Sequence, residues 1–344
     1  MSPSEKPTQE SGHSRTCRII LPEGSNTLHF SQPDGCLAVV SRDARRCLPA
    51  DGVADTLQQA IERWDSVEPA LRLLADRLEQ GEGDVLDESR LLAPLPRAWQ
   101  WLDGSAFPQH GELMQKAFNL PPIETDRPLM YQGLSDRFLS GTQDVRLPSE
   151  ADGIDFEGEF GVITDAVPMG TSAQDALSHI KLVLLINDWS LRAIAPIEMK
   201  TGFGWVQAKP ACSVAPFAVT PDELDEAWQD GRVHLPLEVH VNGAWFGNPH
   251  GGEMAFGFHE LVAHAARTRD LVAGTIVGSG TVSNADYAKL GSCCISERRA
   301  IDVIEQGETK TPFLAFGDRV SLAAIKDKGS PFGSISQQVV ETSR

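Results

Sequence analysis

The chain has 344 residues, 41% of them hydrophobic, which is enough for a sizeable core in one large domain or two smaller ones. Its formal net charge of −18 argues against nucleic acid or an anionic membrane as partner, so an anionic substrate would need local positive charge from a metal or a few Lys/Arg. No run of about 18 apolar residues occurs, and no membrane span is predicted.

Met1 to Arg15 is polar and lacks the apolar centre of a signal peptide, so a disordered tail over 1–15 is predicted. Cys17 to Leu21 and Cys36 to Ser41 read as short strands with a turn at Asp34-Gly35. Residues 54–80 carry Leu57, Ile61, Trp64, Leu71, Leu74 and Leu78 at helical spacings, ended by Gly81 and Gly83. Leu91 to Pro96 reads as a linker, so a small N-terminal α+β domain over 16–96 and a larger domain over 97–344 are expected. The larger part is rich in glycine and short apolar strands: Phe160 to Thr164, Leu182 to Ile186, Leu237 to Val241 and Val320 to Leu322. Asn242-Gly243 signals a hairpin. Helices are predicted at 173–181, 222–228 and 259–267. The fold class is α+β, mostly β.

Six cysteines, at 17, 36, 47, 212, 293 and 294, show no CxxC spacing, which argues against a zinc site or a disulfide framework. They read as small core residues in a reducing, cytoplasmic setting. Cys293 and Cys294 are expected on opposite faces of a strand.

The segment Asp155-Phe156-Glu157-Gly158-Glu159-Phe160 carries the clearest chemistry. In a strand Glu157 and Glu159 share one face, and Phe156 and Phe160 the other. About thirty residues later, Asp188 ends the apolar run Leu182 to Ile186. Carboxylates this close to buried strands repel one another and resist desolvation, and a divalent cation removes both problems. No His or Cys lies in these segments, so a hard ion with oxygen ligands (Mg²⁺, Ca²⁺ or Mn²⁺) is preferred over zinc. Asp103 and His110 add a carboxylate and an imidazole seven residues apart, and His110 is a candidate base toward water. Lys209 sits between apolar Phe203 to Val206 and Pro210 to Cys212, where it could neutralise an enolate or a carboxylate. Gly278-Ser279-Gly280-Thr281 is a tight turn that lets a backbone approach a ligand; it is neither a GxSxG elbow nor a Walker loop.

Taken in order, Glu157-Gly158-Glu159, Asn187-Asp188-Trp189-Ser190-Leu191-Arg192, Lys209, Ser279-Gly280-Thr281-Val282-Ser283 and Phe316-Gly317-Asp318 resemble the fumarylacetoacetate hydrolase family. Tyr131-Gln132-Gly133 and Ser140-Gly141-Thr142 match the start of its catalytic domain. The N-terminal part and the Asp103-to-His110 segment look most like the shorter bacterial fumarylacetoacetases. The resemblance implies a mixed β-roll, a homodimer, and Mg²⁺ or Ca²⁺ held by Asp103, Glu157, Glu159 and Asp188. It implies hydrolysis of a carbon–carbon bond in a β-diketo acid, with fumarylacetoacetate of aromatic catabolism as the namesake substrate. His110 and Lys209 would be catalytic, and Tyr131, Arg192 and Thr281 would position the substrate.

Three departures from the family pattern stand out. Ala193 and Ala195 replace an acid and a glutamine after Arg192. Ile295 occupies the place of the glutamate that orients the catalytic histidine, leaving Glu297, expected on the same strand face, or Glu112 to take that role. Asp155 lies on the Glu157/Glu159 face as a candidate support for the ligands. Two other reading classes share the fold: 2-oxo acid decarboxylation, enol hydration or acylpyruvate hydrolysis on the same metal, and a non-catalytic relative. The latter predicts lost metal carboxylates, and all four are present.

Overall fold

A computed structural model describes residues 18–20, 33–119, 121, 125–327 and 329–342. The tail expected over 1–15 and Cys17 lie outside the described residues. The architecture is α+β and mostly β, as predicted, and is built on two larger sheets.

The larger sheet is centred on strands Gly158–Thr164 and Ile180–Asn187, which pair antiparallel with Glu159 opposite Ile186. Strand Thr275–Gly278 flanks the first and pairs in parallel with Trp101–Gly104, placing Asp103 beside Gly278. Parallel pairs also join Ser213–Val214 to Leu139–Ser140 and Ile335–Glu341 to Val145–Leu147, which gives the mixed character. The second sheet runs in the order Ala244–Gly247, Leu237–Val241, Arg319–Ala324, Ile335–Glu341 and Val145–Leu147. Its first hairpin turns at Asn242 and Gly243, both at positive φ (52° and 76°), as the Asn-Gly signal predicts.

The central strands are buried on both faces. Phe160, Val162, Val183 and Leu185 enter one core with the second sheet. Ile163, Leu182, Leu184 and Ile186 enter another with Leu57, Ile61, Trp64, Leu71 and Leu78. Those last five residues belong to two helices, Leu57–Glu62 and Trp64–Glu79, which meet at a non-helical Arg63 where one helix over 54–80 is predicted. The N-terminal strands Arg18–Ile20, Ala38–Val40, Arg46–Pro49 and Asp84–Val85 continue the larger sheet through Ala218–Val219. The stretch read as a linker also packs inward, with Leu91, Ala93 and Leu95 buried. The N-terminal region therefore shares both sheet and core with the rest.

Three further departures concern helices. Residues 173–181 form a short α-turn and a 3₁₀ turn before the strand that begins at Ile180. Pro108–Phe118 and Ile295–Gln306 are helices that periodicity did not reveal. The first buries little beyond Leu113, and the second buries Glu297 and Asp302 among its apolar residues, which blurs the stripe. Cys294 caps the second helix in place of continuing a strand, so Glu297 stands on a helix.

Leu71 is fully buried between the N-terminal helix and the back of the central strands. Leu71→Ala is expected to cost about 2–5 kcal/mol, measured as a lowered urea midpoint.

Candidate active site

The site lies where the central strands of the larger sheet meet their flanks. Asp103 is the penultimate residue of strand Trp101–Gly104, Glu159 is in strand Gly158–Thr164, and Asp188 directly follows strand Ile180–Asn187. Their carboxylate oxygens come within 4.8 Å of one another, and all three residues are buried. Glu157 sits in the break before Gly158, tied to the next strand by its N–H to Asn187 Oδ1 (3.0 Å) and by the Asp188 N–H to its carbonyl (2.9 Å). The alternation predicted for Glu159 against Phe160 is present, since Phe156 and Phe160 both enter the core with the second sheet.

Two glycines let Asp103 approach. A Cβ at Gly278 would lie 2.4 Å from Asp103 Oδ1 and 2.3 Å from the Trp101 ring. Gly280, at φ 76°, donates its N–H to Asp103 Oδ1 (3.0 Å), and a Cβ there would lie 2.4 Å from the Gly104 carbonyl. The Gly-Ser-Gly turn thus cradles an acid. Ser279 fastens it, accepting the Phe160 N–H at 3.2 Å, and Thr281 is buried just beyond it.

The four acids differ in their partners. Glu157 pairs with Lys209 Nζ, and its Oε1 accepts from Arg192 Nη2 (2.6 Å). Asp188 Oδ2 accepts from Lys209 Nζ (2.5 Å) and from the Tyr131 hydroxyl (2.6 Å), while its Oδ1 accepts from the Cys212 thiol (2.9 Å). Neither oxygen of Glu159 has a donor. Burial pushes the Asp103 and Glu159 carboxyls well above the usual carboxylate range, and neighbouring acids push them further. Burial acts the same way on Glu157, but Arg192 and Lys209 outweigh it and hold that carboxyl far below its ordinary value. Burial opposes the Lys209 ammonium, yet Asp188 and Glu157 raise its pKa above that of an ordinary lysine. Lys209 therefore does not snorkel and stays charged.

A hard divalent cation fits this set. Glu159 has two buried oxygens without donors, Asp103 and Asp188 face it, and both elevated carboxyls would be relieved by an added positive charge. Glu157 is the member of the predicted ligand set that already has two cationic partners.

His110, in the first turn of helix Pro108–Phe118, places Nδ1 3.1 Å from Glu297 Oε2. Glu297 is fully buried, whereas Glu112 is exposed, so the acid against His110 is Glu297. A His110 ring nitrogen, a Glu157 oxygen and Cys294 Sγ also lie within 4.8 Å of one another, which joins the imidazole to the acid cluster.

Two sequence expectations change. Arg192, read as a substrate contact, is spent inside the protein: Nε donates to Asp155 Oδ2 (2.8 Å) and Nη2 to Glu157. The apolar flank read around Lys209 does not bury it, because Phe203 and Val206 are 97% and 83% exposed. Trp205, between them, turns inward instead. Its ring lies 5.2 Å from Lys209 Nζ and 5.0 Å from the Tyr131 ring. The Glu198 carboxylate accepts the N–H groups of Val206, Gln207 and Ala208 and fixes this segment. An aromatic four residues before a lysine was the available signal for Trp205; nothing local marked Cys212 as a partner of Asp188.

Comparison with known proteins places this geometry. Residues 26–97 match the family profile described as fumarylacetoacetase N-terminal domain 2. An oxaloacetate tautomerase of Bacillus subtilis (strain 168) is 23% identical over 86% of this chain and 90% of its own length. A 2,4-didehydro-3-deoxy-L-rhamnonate hydrolase of Sphingomonas sp. (strain SKA58) is 30% identical, over 49% of this chain and 60% of that protein. Among solved structures, a fumarylacetoacetate hydrolase from Exiguobacterium antarcticum superposes with a TM-score of 0.65 at 16% identity, covering 95% of this chain and all of that one. The maleylpyruvate hydrolase of Sphingobium sp. SYK-6, crystallised with manganese(II) and pyruvate, gives 0.63 at 14% identity, covering 94% of this chain and all of that one. At these identities the structural likeness is one of fold. The profile of the fumarylacetoacetate hydrolase C-terminal region matches residues 100–340, and the chain belongs to that family.

Proposed function

We propose that this chain hydrolyses a carbon–carbon bond in a β-diketo acid with the aid of a divalent cation, and that fumarylacetoacetate or a close acylpyruvate is its substrate. The observation that carries the reading is the buried trio Asp103, Glu159 and Asp188, with Glu159 lacking any donor, beside a His110–Glu297 pair. Mg²⁺, Mn²⁺ or Ca²⁺ suits the oxygen donors and, when bound, supplies Lewis-acid polarisation of the dicarbonyl. Asp103, Glu159 and Asp188 would hold it, with Glu157 completing the set if it releases one of its cationic partners.

His110 is the base in this reading. Glu297 accepts the Nδ1–H, which leaves Nε2 free to take a proton from water. The hydroxide equivalent adds to the carbonyl carbon next to the scissile bond. That carbon–carbon bond then breaks, the attacked carbonyl leaves as a carboxylic acid, the electron pair passes to the fragment bearing the remaining ketone as its enolate, and the proton on His110 returns to that fragment. The Lys209 ammonium, kept charged by Glu157 and Asp188, stabilises the developing negative charge. Tyr131, whose hydroxyl donates to Asp188 and whose ring meets Trp205, and Thr281 would position the substrate.

The competing reading is enolisation without water attack, favoured by the Bacillus relative that spans most of the chain and is named an oxaloacetate tautomerase. The buried Glu297 behind His110 supports the hydrolytic reading, because orienting an imidazole as a base toward water requires a fixed tautomer. Decarboxylation of a 2-oxo acid and enol hydration would use the same acids.

A panel of fumarylacetoacetate, fumarylpyruvate, acetylpyruvate and oxaloacetate, with and without Mg²⁺, tests the reading. Cleavage of a diketo acid that EDTA abolishes and Mg²⁺ or Mn²⁺ restores is expected; full activity after rigorous chelation would overturn the metal's role. His110→Ala should lower kcat by at least ~10² while the fold persists, checked by circular dichroism. Saturating cation should raise the wild-type Tm by a few degrees, since ligand at ~100 Kd contributes about 2.7 kcal/mol. Glu159→Gln should abolish that rise, as scanning calorimetry would show.

A further inference from the structure

We propose that Asp155 is a positioning residue for the His110–Glu297 pair, acting through the helix that carries Glu297. Asp155 is fully buried at the end of strand Ile154–Asp155. Its Oδ1 accepts the N–H of Ile295 (2.7 Å) and its Oδ2 the N–H of Ser296 (2.9 Å), the first two amides of helix Ile295–Gln306. The local cap, Cys294, offers only a thiol to the Glu297 N–H, at 3.3 Å. Sulfur is a weak acceptor, so a carboxylate from a distant strand supplies the strong anionic cap that this helix lacks in its own sequence.

Two consequences follow from that placement. Glu297 is the third residue of the helix, so whatever fixes the first turn fixes the carboxylate that meets His110. Asp155 Oδ2 also accepts from Arg192, and Arg192 donates to Glu157, which meets Lys209. One buried carboxylate therefore joins the helix bearing the base's partner to the acid cluster. Arg192 owes its position to the same bond: its charge is matched by Asp155 and Glu157 and is not left for a ligand.

The geometry is independent of the reaction, whereas its kinetic consequence rests on the hydrolytic reading above. Asp155→Asn, Glu297→Gln and the double variant are compared in the full chain. Asp155→Asn should lower kcat about 10- to 10²-fold with KM little changed, since a small displacement of a catalytic group costs that much. In the Glu297→Gln background the same substitution should cost much less than in the wild type, because the group it positions is already gone and only the Arg192 contact is left to lose. Hydrogen exchange at the amides of 295–297 should quicken about tenfold in Asp155→Asn, as expected for one lost charge-assisted bond. Multiplying losses in the double variant, or unaltered exchange at 295–297, would overturn the proposal. Should Asp155→Asn fail to fold, Ile295→Pro removes one donor at the first helical position, where proline is tolerated after an extended residue, and the same cycle with Glu297→Gln decides. The exchange measurement needs no substrate. A protein that turns over no dicarbonyl would sink the functional reading and leave exchange to judge this one.

Discussion

The structure is organised around an excess of negative charge inside its own core. Asp103, Asp155, Glu157, Glu159, Asp188 and Glu297 are all buried around one site, and the buried Lys209 and partly buried Arg192 are the cationic side chains paired with them. Charges out of water are tolerated only when paired or hydrogen-bonded. Glu157 and Asp155 meet that condition fully, and Asp188 meets it through Lys209, Tyr131 and Cys212. Asp103 is partly satisfied by the Gly280 amide, and Glu159 is not satisfied at all. The shortfall is concentrated on the residues that face one another, which is the electrostatic condition for a cation site.

Much of this was legible in the chain. The alternation of Glu159 with Phe160, the apolar run ending at Asp188, and the Gly-Ser-Gly turn are local patterns, and local patterns survive folding. Their assembly was legible only as a resemblance, because Asp103 and Glu159 meet through strand pairing across Thr275–Gly278, which no spacing encodes. The helix around Glu297 was hidden for a physical reason. A helix that buries two acids, Glu297 and Asp302, loses the apolar stripe by which helices are recognised, and its cap comes from a residue about 140 positions away. Arg192, a substrate contact by resemblance, carries no local signal of its pairing either: only bond geometry shows that Asp155 and Glu157 already match its charge.

The relatives named in comparison differ in reaction, among them a tautomerase and hydrolases of different substrates. The site suggests why one scaffold could host them. Enolisation, decarboxylation and hydrolysis of dicarbonyl acids share a stabilised enolate, and under the proposed function the acids with Lys209 would serve that common need. In the reaction proposed above, water activation is what would set hydrolysis apart, and that task would fall to His110 and Glu297 on their helices.

Those two sets of groups stand on different kinds of support. Asp103 and Glu159 belong to strands and Asp188 directly follows one, packed between an N-terminal helix on one side and the second sheet on the other. His110, Glu297 and Trp205 belong to helices and a connecting segment around them. For an engineer this is a chassis with exchangeable fittings. Redesign toward another substrate belongs in the largely exposed 196–207 segment, because Ile295, Ala300 and Ile301 are buried and Asp155 holds the first turn of the 295–306 helix to a strand. Changes to the central strands, by contrast, would be felt on both faces at once.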